Sequence, residues 1–391
     1  MANTLKFGNG EWYGKKDTIL AYNDENNNYK PLPFNFSRAS SATFVNKDGL
    51  IETVGIGEPR VDYLNDSNGA LLLEPSRTNI SLYSEDYTQG SWSKTSVTVE
   101  SNSVIAPDGS LTADKLDFSA STSARMAQLN SPAAGTYTFS VYLRSVSGTG
   151  TFNIRIQSTG DTPATNIVTL NEEWQRVEVT INYTATNPLV SYIGYYIDDS
   201  YLQEVYAWGA QLELGSYATS YIPTSGSSVT RAAEVSYQTV PSGVIGQTEG
   251  TIFVDFEFNQ TPSDINGRIF GLWATSDTTN SIIALINQSN QLQVSSFSSS
   301  SGAAVIPADP ATLIEFGRIK IAIAYTSTSI TVYINGVLFA SGNPTGYFPT
   351  SLTSIGIGSS PTSVRSLGCP IKQTILYNTR LSNFELKSLT S

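Results

Sequence analysis

Histidine is absent from the 391 residues, and there is one cysteine. Without imidazole there is no Ser-His-Asp or Cys-His catalysis, no zinc site built on histidine and no imidazole proton transfer near neutral pH. A lone thiol, Cys369, forms neither an internal disulfide nor a multi-thiolate metal site, and reads as a small buried hydrophobe. No phosphate-cradling GxxxxGK loop occurs, and the glycines of "GNGEW" and "GIGEP" read as turns. Charge is scarce at 14% of residues, with 22 basic against 33 acidic side chains and a net charge of −11. That balance, with no basic run, excludes nucleic acid and anionic membrane surfaces as partners. No apolar run reaches the length of a membrane span, so no membrane insertion is expected. The opening "MANTLKFGNGEWYGKKD" lacks the apolar segment of a signal peptide. Solenoid, heptad and collagen periods are missing too.

What is present favours sheets. Hydrophobic residues make up 40% and aromatic residues 11%, including 21 tyrosines, which is ample for a core. The polar remainder is mainly Ser, Thr, Asn, Gln and Gly, poor helix formers common in strands and turns. The expected fold is all-β, with tandem antiparallel β-sandwiches after a loop-rich N-terminal region. Residues 1–80 read as that region, used for docking or oligomerisation; it holds the polar loop "NDENNN" and "KPLPF", whose prolines argue against helix and central strand. Residues 81–225 hold alternating strands of a jelly-roll type. Tyr137, Phe139, Val141 and Leu143 share one side of one strand, and Ile193, Tyr195 and Ile197 one side of another. In "AWGAQLEL", Trp208, Ala210, Leu212 and Leu214 fall on one side, with Gly209, Gln211 and Glu213 on the other and wet side. Residues 226–243 read as a connection and 244–391 as a second sandwich, which resembles those of concanavalin A or laminin-G type. Within it, Asn335-Gly336 predicts a type I′ hairpin turn, and Ser382 with Glu385 predicts a capping box.

Three constellations bear on chemistry. Asp255 and Glu257 lie on one face of a strand at a spacing that suits paired carboxylates, and Glu213 is a further acid; the competing reading is ordinary acids on a polar face. "DFEF" lacks the third acid of the sandwich-glucanase strand motif, and the histidine used by many polysaccharide lyases is missing. Asp108, Asp114 and Asp117 offer oxygens near a glycine turn, which makes structural calcium the one cofactor left open; the alternative is a turn followed by an edge strand. Strand arithmetic places Tyr142, Arg144, Asn153, Arg155, Gln157, Tyr192, Tyr196, Gln211 and Glu213 opposite the core of the middle domain. Flat aromatics with amide and guanidinium donors suit sugar rings, and equally suit a solvated or subunit-facing sheet.

Three blocks carry a family resemblance: "FNFSRASSATFVNKDGLIETVGIGEPRVDY" (Phe34–Tyr63), "GALLLEPSRTNISLYSEDYTQGSW" (Gly69–Trp92) and "AWGAQLELGSYATSYIPTSGSSVTRAAE" (Ala207–Glu234). They resemble a recurrent block of tailed-phage virion proteins of the tail-fibre or appendage type. The middle stretch is similar to carbohydrate-binding jelly-roll modules, some of which hold structural calcium. The resemblance implies a non-enzymatic structural or adhesin role, a homotrimer, N-terminal docking, and other virion proteins and host surface glycans as partners. It fits a chain with an extracellular texture but neither export signal nor disulfides: a virion component made in the host cytoplasm and released by lysis. Arg38, Arg60, Arg77 and Arg231, each beside a turn, are then structural or subunit-contact residues bonding carbonyls or acids. A purely architectural head or tail subunit and a host-polysaccharide depolymerase are the alternatives; the latter lacks the β-helix repeat of many phage depolymerases.

Overall fold

The computed structural model describes residues 5–10, 12, 14–25, 28–262, 266–276, 279–298, 301–359 and 365–391. Strands dominate, with one helix, Asn383–Thr390, and one 3-10 turn, Pro310–Thr312, among the described residues. The chain divides into two units. One comprises 77–231 with 50–53; the other comprises 1–49, 54–76 and 232–391.

The first unit is a β-sandwich of two five-stranded antiparallel sheets. One, here the tyrosine sheet, has the order Trp92–Thr95, Ala124–Asn130, Leu189–Ile197, Gly150–Gln157, Ala164–Leu170. The other, the covered sheet, has the order Thr98–Val104, Ala113–Asp117, Glu204–Leu214, Gly135–Ser145, Gln175–Tyr183. Period-2 alternation sends Phe139, Val141 and Leu143 of one sheet and Phe152, Ile154 and Ile156 of the other into a shared core with Phe118, Ile193 and Leu212, all fully buried. Each such side chain contributes about 1.5–3 kcal/mol on burial.

The second unit corrects the expectation for residues 1–80. Leu5–Gly8 pairs with Ile371–Tyr377, Thr18–Glu25 with Asn28–Ser37, and the end of Asn28–Ser37 with Val235–Thr239. The N-terminal strands thus lie within the same antiparallel ladder as the C-terminal ones. Leu5, Phe7, Phe34, Phe36, Leu71 and Leu73 share one core with Phe256, Ile321 and Ile371. The prolines of "KPLPF" do sit in a strand. Pro31 and Pro33 face Tyr22 and Leu20 on one side, while the pairing with Val235–Thr239 involves Asn35, Phe36 and Ser37. A missing N–H is tolerated where the strand is paired on a single side. The stretch 226–243 is also not a plain connection: Val229–Arg231 pairs with Arg77–Asn79, and the units divide after Arg231.

Local signals elsewhere read through directly. Asn335 and Gly336 have φ of 45° and 80°, as a type I′ turn requires. The Ser382 side chain accepts from the Glu385 N–H, and Glu385 accepts from the Ser382 N–H. Cys369 is buried, and burial pushes its thiol up to about 12.

Two of the four singled-out arginines belong to this second unit and are buried with two acids. Arg60 Nε donates to Glu234 Oε1 at 2.8 Å, and its Nη2 pairs with Glu74 Oε2 at 2.8 Å and with Glu234 Oε2. Arg38 Nη1 donates to the same Glu234 Oε1 at 2.8 Å. Four further guanidinium hydrogens reach the carbonyls of Ser40, Thr43, Gly55 and Glu58. Two cations and two anions therefore share one dry site, and they bind four short segments of chain together. Removing Glu234 strands both arginines in that site. We expect Glu234→Ala to lower the unfolding free energy by about 3–5 kcal/mol in urea titration; a loss below 1 kcal/mol would show that the cluster is solvated.

Candidate functional site

The nine residues expected on a single outward face do not share one. The four strands that carry them are divided between the two sheets: Tyr142, Arg144, Gln211 and Glu213 lie on the covered sheet. Asn153, Arg155, Gln157, Tyr192 and Tyr196 lie on the tyrosine sheet. The outer faces of a sandwich point in opposite directions. Sequence periodicity identifies which side of a strand is polar, but not which sheet the strand joins.

The covered sheet earns its name from the segment that follows it. Glu213 and Gln211 are fully buried, which overturns the reading of Glu213 as a wet-face acid. Glu213 Oε1 accepts from the Thr219 N–H at 2.8 Å and from Gln211 Nε2 at 2.6 Å; Oε2 accepts from Thr219 Oγ1 at 2.7 Å. Gln211 Oε1 accepts from the Ile222 N–H at 2.7 Å. Arg77 Nε stands 3.7 Å from Glu213 Oε2, its guanidinium over the Tyr217 ring, and Arg231 Nη1 donates to Thr219 Oγ1 and Ser220 Oγ. Gly209, at φ 67°, makes a bulge opposite Val141, so Ala210 and Leu212 enter the core while Trp208 turns outward. There Trp208 packs edge-on against Tyr142 at 5.6 Å and in a tilted contact against Tyr221 at 4.5 Å. Arg144 lies between the Trp174 and Tyr206 rings. This face is occupied by the chain itself.

The tyrosine sheet is different. Its central strand, Leu189–Ile197, carries a second bulge. Gly194 has φ 67°, and a Cβ there would come within 2.6 Å of the Phe118 ring. Tyr196 has φ 53°, a left-handed conformation that costs a bulky residue about 1–2 kcal/mol. Across the bulge Met126 faces Ile193, Arg125 faces Tyr195, and Ala124 faces Ile197. The two extra residues break the alternation, so Tyr195 points outward together with Tyr192 and Tyr196 instead of joining Ile193 and Ile197 in the core. Their rings meet edge-to-face at 4.8 Å and 4.4 Å. The Arg155 guanidinium lies 4.4 Å over Tyr195, and that of Arg125 lies 5.4 Å over Tyr196. Gln157 accepts from Arg155 Nε at 2.7 Å and donates to the Tyr192 hydroxyl at 3.1 Å. Asn153 is buried and serves the bulge: its Oδ1 accepts from the Tyr195 N–H at 2.8 Å, and its Nδ2 donates to the Tyr195 carbonyl. Burial and the adjacent Tyr195 ring hold the Tyr192 hydroxyl above its usual range against the two guanidiniums, so at neutral pH it keeps its proton and can donate. Tyr196 is 47% exposed. The result is a platform of three tyrosines, packed edge to face and edged by two arginines. Tyr195 and Arg125 were missed by period-2 arithmetic; a glycine inside an apolar strand was the signal available.

The other candidates separate. Asp108 accepts from Ser110, Asp117 from the Ser119 N–H, and Asp114 from the Tyr87 and Asn102 N–H groups. Burial lifts the Asp114 carboxyl, and those two N–H groups counter it. Its strand pairs on both sides, so it is not an edge strand. Asp114 borders a cavity of about 260 Å³ with Glu85 and Asp86, where Asp108 and Asp117 do not reach. Among the described residues, no acid cluster is arranged to hold a metal ion. Asp255 is buried and receives both Nε and Nη2 of Arg318 at 3.0 and 2.7 Å. Glu257 lies 3.3 Å from Lys372, which also holds Asp66 at 3.0 Å. Both strand acids are committed to cations.

Two substitutions separate the covered face from the platform. Glu213→Ala leaves Arg77, Gln211 and Thr219 facing an empty site, and should cost about 3 kcal/mol of stability in a denaturant titration. Gly194→Ala adds a left-handed penalty and a clash with Phe118, for a loss of roughly 2–4 kcal/mol. A wild-type melting curve for Gly194→Ala would mean the strand runs through without its bulge.

No protein-family model matches the chain, and no curated protein does. Solved structures do match, at low similarity and over about two-fifths of the chain. Domain 4 of AbnA, a GH43 extracellular arabinanase from Geobacillus stearothermophilus, in complex with arabinotriose, is 15% identical over 41% of this chain and 77% of that one, with a TM-score of 0.31. The CBM40 of Ruminococcus gnavus IT-sialidase is 14% identical over 37% and 84%, with a TM-score of 0.30. The receptor-binding domain of botulinum neurotoxin mosaic serotype C/D is 11% identical over 40% and 39%, with a TM-score of 0.32.

Proposed function

We propose that this chain is a non-catalytic, glycan-binding structural protein of a bacteriophage particle, a tail-fibre or appendage subunit that contacts host surface sugars. The observation that carries the glycan reading is the platform of Tyr192, Tyr195 and Tyr196. Aromatic faces pack on the C–H side of a sugar ring, while the Gln157 amide, the Tyr192 hydroxyl and the guanidiniums of Arg125 and Arg155 meet its hydroxyls. The strain stored at Tyr196 fits a place where presentation of a side chain outweighs local stability. The particle reading rests on the three blocks that resemble tail-fibre proteins, as do the homotrimer, the N-terminal docking and the virion location. A non-catalytic role is supported by the carboxylates: Glu213 is sealed in, while Asp255 and Glu257 are paired with Arg318 and Lys372.

One observation favours an architectural reading. Leu129, 63% exposed, and Ile167, 58% exposed, belong to the same sheet, and outward apolar side chains beside aromatic ones also mark protein contacts. Glycan-array binding decides between the two. For the glycan reading, Tyr195→Ala and Tyr196→Ala should each weaken retention by about tenfold or more at an unchanged melting temperature. Silence of the wild-type chain across host envelope and capsule sugars would leave the architectural reading.

A further inference from the structure

The charge of the tyrosine sheet is opposite to that of the chain. Its five strands, "WSKT", "ARMAQLN", "LVSYIGYYI", "GTFNIRIQ" and "ATNIVTL", contain no Asp or Glu, and they carry Lys94, Arg125 and Arg155. The chain as a whole has 33 acidic residues and a net charge of −11. The strands of the opposing sheet carry Glu100, Asp114, Asp117, Glu178, Glu204 and Glu213. Acids are therefore excluded from one sheet of a single sandwich.

Two of the three cations of this sheet are also placed for use. Lys94 is turned back onto the carbonyls of Tyr87, Thr88, Gln89 and Trp92. Arg125 and Arg155 are not consumed in that way. They sit on the two strands that flank the tyrosine strand: Arg125 pairs in register with Tyr195 from one side, and Arg155 with Tyr192 from the other. Strand spacing puts those flanking backbones roughly 10 Å apart, with the rings between them. Their hydrogen bonds are to neutral oxygens: Ser123 O for Arg125, Gln157 Oε1 and Thr165 Oγ1 for Arg155. Neither meets a carboxylate in an ion pair among the described residues. Of the acids in the adjoining turns, Asp161 accepts from Thr184, Asp198 from Ser200 and Glu172 from the Gly148 N–H, while Glu173 and Asp199 are exposed.

From this juxtaposition we propose that the platform binds acidic glycans, sugars bearing carboxylate or sulfate groups, with Arg125 and Arg155 meeting the anion while Tyr195 and Tyr196 stack on the ring. The proposal rests on the glycan reading above and specifies its ligand. A guanidinium fork matches a carboxylate in two parallel hydrogen bonds, and a ring beneath it fixes the orientation of the fork. A surface of this kind also draws a polyanion towards a protein that otherwise repels it, so association should weaken with salt.

The test uses the full chain against a panel of neutral, uronate-bearing, sialylated and sulfated oligosaccharides, with carboxyl-reduced counterparts of the uronates and a single-stranded DNA oligomer. Arg125→Gln and Arg155→Gln are measured beside wild type and Arg155→Lys, with melting temperature as the control on folding. The proposal expects retention of acidic members, loss on carboxyl reduction, about tenfold weaker binding for each Gln variant, partial recovery in Arg155→Lys, and weakening as salt is raised. Equal retention of neutral and acidic sugars, or Gln variants that bind like wild type, overturns the acidic specificity and leaves the glycan reading intact. DNA bound as well as the uronates overturns it in favour of a general anion surface. No binding to any sugar removes the glycan reading, and this inference with it.

Discussion

Side chains along a β-strand alternate between its two faces, and the first unit depends on where that rule is broken. Two left-handed glycines, Gly194 and Gly209, each shift the alternation in the middle of a long strand. The consequences are opposite in kind. At Gly209 the shift turns Trp208 out of the core into a second apolar layer with Tyr142 and Tyr221, which the chain then covers. At Gly194 it turns Tyr195 out beside Tyr192 and Tyr196, where Tyr192 is buried, Tyr195 half-buried and Tyr196 exposed. One device makes an internal seam in one sheet and a presenting surface in the other.

Polar chemistry follows the same division. Where the fold closes over itself, acids are matched to arginines and backbone donors. Glu213 meets Thr219 and Arg77; Glu234 and Glu74 meet Arg38 and Arg60. Buried carboxylates of this type are expensive to strip of partners, which suits them to holding chain segments and not to exchanging protons. On the tyrosine sheet, acids are missing and the arginines lie over rings. Charge is used for closure in one place and left available in the other.

Much of this was legible in the sequence. The all-β class, the inward residues Phe139, Val141, Leu143 and Ile154, the Asn335-Gly336 turn and the Ser382–Glu385 cap follow from local rules that the fold does not override. Other features depend on distant chain. The strands of residues 5–37 find partners at 235–239 and 371–377, so a short, proline-bearing segment gave no local sign of its place in a sheet. Glu213 reads as exposed because its cover, Thr219 to Ile222, arrives only after the strand has ended. The nine glycan candidates are spread over two outer faces, since periodicity carries no information on sheet membership. Asp108, Asp114 and Asp117 are close in sequence, yet Asp108 and Asp117 are bonded within their own turns and Asp114 to the N–H groups of Tyr87 and Asn102.

The central claim is that the three tyrosines around the Gly194 bulge form the contact surface of the molecule. It is tested most directly by following the ring signals of tyrosine-labelled protein by NMR while host envelope glycan is added. Of the 21 tyrosines, the account predicts that Tyr192, Tyr195 and Tyr196 shift together and saturate at one concentration, with Tyr137 and Tyr221 unmoved. Shifts centred on rings elsewhere in the chain, with these three silent under saturating glycan, would contradict it.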